Sequence, residues 1–330
     1  MHSFGAPEVL HFEDAPMPDV ANEEVLVRVK AAGINPPDLY LRDGYRTMPP
    51  EWRPEPAFPM IIGTDIAGVV ENVGKDVENF KAGDEVFAMV RFPEDLMRGS
   101  GAYAQYISVP VSELAHKPAG IDDVSAAAAP MSLLTAWQFL IDLGHEEPNP
   151  FQSNPHEPLP LDGRKVLVNG ASGGVGHILV QLAKLKGAQV VAVASGKHEA
   201  LLRDLGADDF IDYRKQAAED VADAVDLVVD AVGGEGMERF IGVLKPGGAL
   251  FLVNPVGFDG YEKAKEKGVR VSSTQVRSNG AQLGEAAHLL ADGTLRVSVS
   301  RTFPLMEAAD AHRYVLEGGG AGKVVLTVSE

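Results

Sequence analysis

The segment best suited to chemistry is a glycine-rich run, VLVNGASGGVG, at Val166–Gly176. An apolar strand pattern leads into it, and apolar residues at helical spacing follow through Gly174–Gly187. The first amide groups of a helix lack intrahelical partners, so they bind phosphate, and glycine lets the backbone approach closely. The strict dinucleotide pattern has glycine where this chain has Ala171. The spacing still predicts a dinucleotide site, with the pyrophosphate contacts Ala171, Gly173, Gly174, Val175 and Gly176.

The end of the next strand pattern indicates which dinucleotide binds. Domains that bind NADH usually carry Asp or Glu there, about 20 residues beyond the glycines. Here the strand Ala188–Ser195 continues into Gly196 and Lys197, so a hydroxyl and an ammonium replace the acid. Both groups suit a 2′-phosphate, which an acid would repel. The pattern therefore favours NADPH, with Ser195 and Lys197 as contacts of the 2′-phosphate. The alternative, that Lys197 is only a solvated lysine at the start of a helix, is weaker.

The same residues also satisfy a second pattern. Gly170–Gly174 matches G-x-S-x-G, in which Ser172 would be the nucleophile of an α/β-hydrolase. Asp230 and either His288 or His312 would then complete a catalytic triad. Both histidines lie in helical patterns, and no HGGG-like oxyanion motif precedes the serine. The hydrolase is therefore the weaker hypothesis.

The elements around the glycine-rich run alternate between strands and helices. Short apolar runs without alternation are typical of strands that are covered on both faces. Strands that alternate with helices predict a doubly wound parallel sheet, a Rossmann fold, which we place at residues 121–294. The predicted strands are Lys165–Asn169, Ala188–Ser195, Phe210-Ile211, Asp226–Asp230 and Ala249–Asn254.

Residues 1–120 and 295–330 contain short β-like runs punctuated by turn residues. They predict one discontinuous barrel-like or sandwich-like domain, into which the α/β domain is inserted. A helix is expected at Met306–Glu317, and Gly144–Asp162, with five prolines, is expected to be a surface insertion. The predicted strands are Glu24–Lys30, Ala67–Glu71, Glu85–Val90, Tyr103–Val109, Leu295–Val299 and Lys323–Val328.

Composition excludes several functions. The chain of 330 residues has no cysteine, which removes disulfides, thiolate nucleophiles and cysteine-bound zinc. Its net charge of −18 would repel a phosphate backbone, so nucleic acid is not an expected partner. No apolar run is long enough to cross a membrane, and the first residues do not resemble a signal peptide. A cytoplasmic protein without a membrane partner is expected.

Seven segments match one family in order and spacing: Asn35–Tyr40, Gly63–Val70, Phe80–Phe87, Gly101–Tyr106, Ala126–Trp137, Gly170–Gly176 and Leu244–Gly248. They resemble the zinc-independent quinone oxidoreductase (ζ-crystallin-like) branch of the medium-chain dehydrogenase/reductase superfamily. The resemblance implies that the barrel is a GroES-like substrate domain and that the protein is a homodimer. The family usually has several strand residues before the motif that begins here at His2, so either a shortened first strand or a misassigned start codon is expected.

The resemblance also implies that zinc is absent. Asn35 stands where zinc-dependent relatives have cysteine, and Gly63-Thr64-Asp65 stands at their Gly-His-Glu segment. Met131-Ser132 stands near the third ligand position. No metal site is therefore expected.

By family position, Asn35 and Tyr40 would line the nicotinamide and substrate pocket, where the phenol of Tyr40 could donate a hydrogen bond to a developing enolate oxygen. Thr135 would contact the nicotinamide, Tyr213 the 2′-phosphate, and Asn254 the nicotinamide ribose. Without zinc, the expected reaction is hydride transfer from NADPH to a quinone or an α,β-unsaturated carbonyl compound. A non-catalytic NADPH-binding protein is the alternative.

Overall fold

The computed structural model describes residues 1–46, 48, 53, 55, 57–92, 100–146, 156–221 and 224–329. It divides the chain into two units. Unit 1 comprises Met1–Leu134 and Arg277–Glu330, and unit 2 comprises Thr135–Val276. Among the residues described, no helix has the length and apolar character needed to cross a membrane.

Short strands and helices make up both units. In chain order they are β1 (Glu24–Gly33), α1 (Pro36–Asp43), β2 (Asp65–Val73), β3 (Glu85–Met89), β4 (Tyr106–Pro110), β5 (Leu114–His116), α2 (Asp123–Ala128), α3 (Pro130–Leu140), β6 (Lys165–Asn169), α4 (Gly176–Leu185), β7 (Gln189–Ala194), α5 (Glu199–Asp204), β8 (Asp209–Asp212), α6 (Ala218–Val221), β9 (Val225–Asp230), β10 (Leu244–Leu252), α7 (Tyr261–Lys267), β11 (Arg270–Ser272), α8 (Gly280–Ala291), β12 (Val299–Pro304), α9 (Ala308–Leu316) and β13 (Lys323–Thr327).

Unit 1 is built on a seven-stranded sheet in the order β12-β13-β1-β2-β3-β5, with β4 paired to β1. β1 pairs antiparallel with β2, β4 and β13, so this long strand holds the sheet together. Its apolar side chains pack with those of β2, β3 and β13 into one core. The turn after β1 leads directly into α1, and β2 runs antiparallel beside β1. The start of α1 therefore lies close to the start of β2.

Unit 2 is a six-stranded sheet in the order β11-β10-β9-β6-β7-β8, and every pair in it is parallel. The order reverses between β6 and β9, where the chain crosses from one half of the sheet to the other. Doubly wound sheets bind ligands beyond the carboxyl ends of their strands at such a point. The glycine-rich loop follows β6 there.

Several predicted boundaries differ from those observed, and β10, for example, begins at Leu244 rather than at Ala249. The units divide after residues 134 and 276 rather than after 120 and 294, because α2 packs on β1 and β2, and α8 packs on β5. The strand predicted at Leu295–Val299 begins at Val299 instead and continues to Pro304. Its parallel pairing with β13, from Val299 opposite Lys323 to Pro304 opposite Thr327, fixes that position.

Candidate functional site

The glycine-rich loop makes a tight turn between β6 and α4. Gly170 has φ of 76°, a left-handed conformation that favours glycine. A Cβ atom on Gly176 would lie only 2.1 Å from the carbonyl oxygen of Gly170. The amide of Gly173 also donates to that oxygen at 2.9 Å. The predicted pyrophosphate contacts therefore lie in one strand–loop–helix turn, at the start of a ten-residue helix.

Neighbouring loops at the same edge of the sheet support this turn. Asp230, at the end of β9, accepts hydrogen bonds from the side chain of Asn169 at 2.8 Å and from the amide of Val232 at 3.0 Å. A Cβ on Gly233 would lie 3.0 Å from the carbonyl oxygen of Asn254, the residue predicted to contact ribose. Asn254 therefore lies beside the loop that follows β9, at the edge predicted for a dinucleotide.

The ends of β7 and β8 form an open cavity of about 430 Å³ in unit 2. Ser195 and Lys197 line it, as do Arg214 and Lys215, which follow the predicted contact Tyr213. Tyr213 is exposed, and the guanidinium carbon of Arg214 lies 6.0 Å from the centre of its ring. Arg214 was not among the contacts predicted from the sequence, although its place directly after Tyr213 at the end of a strand was a usable signal.

The cavity carries positive charge. Its acidic neighbours are engaged, since Glu199 bonds Arg203 at 2.9 Å and Asp212 lies 3.7 Å from Lys215. Within the described residues, Lys197 and Arg214 form no ion pair. Burial lowers the pKa of His198, and the charges of Lys197 and Arg214 lower it further. Two cations thus face the cavity where an NADH-binding domain would carry an acid.

Thr135, the other predicted contact in unit 2, is buried in α3. It lies at the first position of that unit, since the division falls inside this helix. Its predicted role at the nicotinamide stays a prediction.

Unit 1 contains a second group of chemically capable residues, the buried polar cluster of Asn35, Asp38, Thr64, Asp65 and Lys323. Asn35 precedes α1, and its backbone amide donates to Asp38 at 2.8 Å. Its side-chain amide donates to Thr64 at 3.0 Å and to Asp65 at 2.9 Å. Its carbonyl oxygen accepts a hydrogen bond from the ammonium of Lys323. Because both amide hydrogens are engaged and the residue is 2% exposed, Asn35 has no donor left for a substrate.

The two carboxylates of this cluster are completely buried. Asp38 also accepts from the hydroxyl of Thr64 at 3.0 Å, and Asp65 accepts from the amide of Met131 at 2.9 Å. Burial raises the pKa of Asp38 to about 7. Burial also raises the pKa of Asp65, against the charge of Lys323, which lowers it.

Tyr40, the predicted proton or hydrogen-bond donor, lies on α1 and is 43% exposed. Its ring lies 6.2 Å from that of Tyr45, centre to centre. Burial of part of the side chain raises the pKa of Tyr40, so the phenol is protonated at neutral pH. Its hydroxyl has no hydrogen-bond partner among the described residues. Of the two predicted catalytic residues, Tyr40 is therefore the one whose donor is not engaged by any residue that the structure describes.

Comparisons with known proteins match nearly the whole chain. The family model described as alcohol dehydrogenase GroES-like domain matches residues 21–119, and that described as zinc-binding dehydrogenase matches residues 205–326. The 2-methylene-furan-3-one reductase of Solanum lycopersicum is 34% identical over 336 residues, which cover 98% of this chain and 76% of that protein. The chain belongs to the medium-chain dehydrogenase/reductase superfamily.

Two solved structures of this superfamily have the same fold. The quinone oxidoreductase from Coxiella burnetii has a TM-score of 0.83 and 31% identity, covering 99% of this chain and 98% of that one. The Escherichia coli quinone oxidoreductase, solved in complex with NADPH, has a TM-score of 0.81 and 27% identity, covering the same shares. The predicted family branch and the Rossmann domain inserted into a GroES-like domain are confirmed.

Membership of the medium-chain dehydrogenase/reductase superfamily makes the chain an oxidoreductase and excludes the hydrolase. The structure agrees for two of the proposed triad partners, His312 and Asp230, which are engaged elsewhere. Both ring nitrogens of His312 contact other side chains, Arg42 and Tyr103, within unit 1. Asp230 accepts from Asn169 and from two backbone amides.

One matching family model carries zinc in its description, and it matches residues 205–326. Asn35 and Thr64 lie outside that range, at the places where the resemblance puts zinc ligands in zinc-dependent relatives, and they do not fit that metal. Zinc in proteins is held by thiolate, imidazole or carboxylate groups. Asn35 and Thr64 offer an amide and a hydroxyl instead, and the ammonium of Lys323 already contacts the oxygen of Asn35. Across the described part of the chain, no group of three or more His, Asp or Glu residues could hold a metal ion.

Proposed function

We propose that this protein is an NADPH-dependent reductase of quinones or α,β-unsaturated carbonyl compounds that works without zinc. The observation that carries the proposal is the pair of cations, Lys197 and Arg214, at the cavity beyond β7 and β8. A 2′-phosphate is the part of NADPH that NADH lacks, and a guanidinium and an ammonium bind it through charge-assisted hydrogen bonds.

Each part of the cofactor would meet a separate set of residues in unit 2. The loop from Ala171 to Gly176 and the start of α4 would bind the pyrophosphate. Ser195, Lys197, Tyr213 and Arg214 would hold the 2′-phosphate. Thr135 and Asn254 would contact the nicotinamide end. When bound, NADPH supplies the hydride, and the protein supplies position and a hydrogen-bond donor.

Tyr40 is the proposed donor to the oxygen of the acceptor. Hydride addition to a quinone or an enone places negative charge on that oxygen, and a donor directed at it stabilises the charge. Tyr40 is protonated, and its hydroxyl has no partner among the described residues, whereas both side-chain amide hydrogens of Asn35 are engaged. We therefore assign Asn35 the role of fixing the start of α1, the helix that carries Tyr40.

The comparisons support this class of acceptor. The tomato relative is named for the reduction of 2-methylene-furan-3-one, and both solved relatives are named quinone oxidoreductases. Oxidation of an alcohol relies on a Lewis acid such as zinc to stabilise the alkoxide. A quinone or an enone is already polarised, so its reduction does not need that metal. A reaction that needs no metal ion agrees with a site whose residues do not suit zinc.

The decisive experiment is cofactor turnover. Consumption of NADPH and of NADH would be followed against a panel of quinones and α,β-unsaturated ketones, with and without EDTA. The proposal expects turnover that prefers NADPH and that EDTA leaves unchanged. Tight binding of NADPH without turnover of any acceptor would indicate the non-catalytic binding protein, and equal use of NADH would overturn the assignment of the 2′-phosphate site.

A further inference from the structure

Lys323 is a buried lysine that the proposed reaction does not use. It is the first residue of β13, and its side chain is 4% exposed. Lysine is almost never fully buried unless it is paired. Burial lowers the pKa of Lys323, and the charges of Asp65 and Asp38 raise it. The buried ammonium is therefore stabilised by the two neighbouring carboxylates.

The buried polar cluster has an excess of acid. Asp38 and Asp65 are both completely buried, and the ammonium of Lys323 lies 3.5 Å from the carboxylate of Asp65. The other nearby cation, Arg42, reaches Asp38 only through His312 and Tyr103. Among the residues that the structure describes, Lys323 is thus the cation that directly contacts a carboxylate of this cluster, that of Asp65. Without it, Asp65 would be a buried acid without a balancing charge.

Lys323 also determines the orientation of Asn35. The side-chain amide nitrogen of Asn35 gives its two hydrogens to Thr64 and Asp65. The carbonyl oxygen therefore points the other way, and it accepts from Lys323. A buried acceptor that loses its donor costs free energy, so removing the ammonium would favour rotation of the amide. That rotation would break the bonds that fix Asn35 ahead of α1.

We propose that Lys323 is the fixed cation of the buried polar cluster, a positioning residue that neutralises Asp65 and orients Asn35. In a zinc site the metal ion supplies the positive charge that the ligands surround. Here the ammonium of Lys323, a side chain of the protein itself, supplies that charge. The inference deepens the proposed function and rests on it for its kinetic part, since Asn35 precedes the helix that carries Tyr40.

A double-mutant cycle tests the pairing without any need for turnover. Lys323→Met, Asp65→Asn and the double variant would be unfolded in urea as full-length chains. Removing one partner leaves the other charge buried and alone, so the double variant should lose less stability than the two single losses combined. We expect a coupling of about tenfold or more in the unfolding constant. Additive losses would overturn the proposal.

The chain offers a matched control on its surface. Lys81 and Asp84 form a lysine–aspartate pair at 3.4 Å, with the side chain of Lys81 84% exposed. The cycle of Lys81→Met and Asp84→Asn should give a coupling under about threefold, because water screens the pair. If Lys323→Met alone does not fold, the double variant with Asp65→Asn should still fold better than it, and a double variant that folds no better would overturn the proposal.

Kinetics test the positioning role. Lys323→Met should lower kcat by about tenfold, because a small displacement of catalytic groups is costly, and leave the KM for NADPH unchanged. Lys323→Arg keeps the charge and should recover part of the loss. A folded Lys323→Met variant with the wild-type kcat would overturn the positioning role. If the wild-type protein turns over no acceptor, the proposed function fails, while the unfolding cycle still decides the pairing.

Discussion

The hydroxyl of Tyr103 lies 3.1 Å from Nε2 of His312, and this contact belongs to a hydrogen-bond chain with a single direction. The guanidinium of Arg42 lies 3.3 Å from Nδ1 of the same ring. A guanidinium can only donate, so Nδ1 accepts and Nε2 carries the hydrogen. His312 therefore donates to Tyr103, whose own hydrogen goes to Asp38 at 3.2 Å. The chain thus runs from a buried cation to a buried acid.

Two members of this hydrogen-bond chain, His312 and Asp38, act on stability in opposite directions as the pH changes. Burial lowers the pKa of His312 from 6.5 to about 3, so between those values the unfolded chain binds a proton that the native chain does not. Burial raises the pKa of Asp38 from 3.8 to about 7, so there the native chain binds the extra proton. The contribution of His312 to the free energy of unfolding therefore falls as the pH falls, and that of Asp38 falls as the pH rises. Between about pH 4 and 6.5 the two effects offset each other.

His312→Gln should expose the effect of Asp38. Glutamine can accept from Arg42 and donate to Tyr103, but it does not titrate. Relative to wild type, the free energy of unfolding should fall with rising pH by about 1.4 kcal/mol per unit between pH 4.5 and 6.5. Urea unfolding at three pH values in this range measures the slope.

Asp38→Asn should reverse that slope. Only His312 then titrates within the chain of hydrogen bonds, so stability should rise with pH over the same range, relative to wild type. Parallel slopes in His312→Gln and Asp38→Asn would contradict the opposing assignment.

Lys197→Met and Arg214→Met should weaken the use of NADPH selectively. Each removes one cation from the cavity, and a charge-assisted hydrogen bond to phosphate contributes about tenfold in affinity. The KM for NADPH should rise by about that factor in each variant, while the KM for NADH stays unchanged. Lys215→Met is the control, because its ammonium already faces Asp212. Equal increases for both dinucleotides would show that the cations do not bind the 2′-phosphate.

Gly176→Ala should damage both stability and binding of the cofactor. The new methyl group would meet the carbonyl oxygen of Gly170 at 2.1 Å, which forces the loop apart. We expect a loss of about 1–3 kcal/mol in the free energy of unfolding and a weaker quenching of protein fluorescence by NADPH. Gly284→Ala, on α8, is the control, since its nearest neighbour would be 4.0 Å away. That change should stabilise the protein by up to about 1 kcal/mol.

Tyr40→Phe should lower kcat and leave cofactor binding intact. The ring stays and only the donor is lost, so we expect a decrease of about 100-fold if the hydroxyl stabilises the developing oxyanion. Tyr45→Phe removes a hydroxyl from the neighbouring, more buried ring and should change kcat by less than about threefold. Steady-state kinetics with the best quinone acceptor measure both. Equal effects of the two changes would remove Tyr40 from the reaction.

The α/β unit could be predicted closely because its signals are local. The strand Lys165–Asn169 has the bounds that its apolar run predicted, and the glycine spacing predicted the turn that follows. Parallel strands then bring their loops to one edge without further information. The sequence therefore placed Ser195, Tyr213 and Asn254 at that edge before the structure did.

The buried polar cluster could not be predicted, because its members are distant in sequence. Asn35 and Lys323 are 288 residues apart, and Lys323 looks like an ordinary residue at the start of a strand. Only the pairing of β13 with β1 places its ammonium beside Asp65. The sequence identified Asn35 by its position in a motif, but not that its amide would be fully engaged.

The pairing of β1 with β13 has a consequence for how the protein is made. A ribosome releases β1 early, yet that strand must wait for a partner that emerges after all of unit 2. Unit 2 is continuous, so it can fold as soon as its own residues are free, ahead of the domain that encloses it in the chain. During this interval, Asp65 lacks the lysine that later balances it, so burying its carboxylate costs more free energy until β13 has been made.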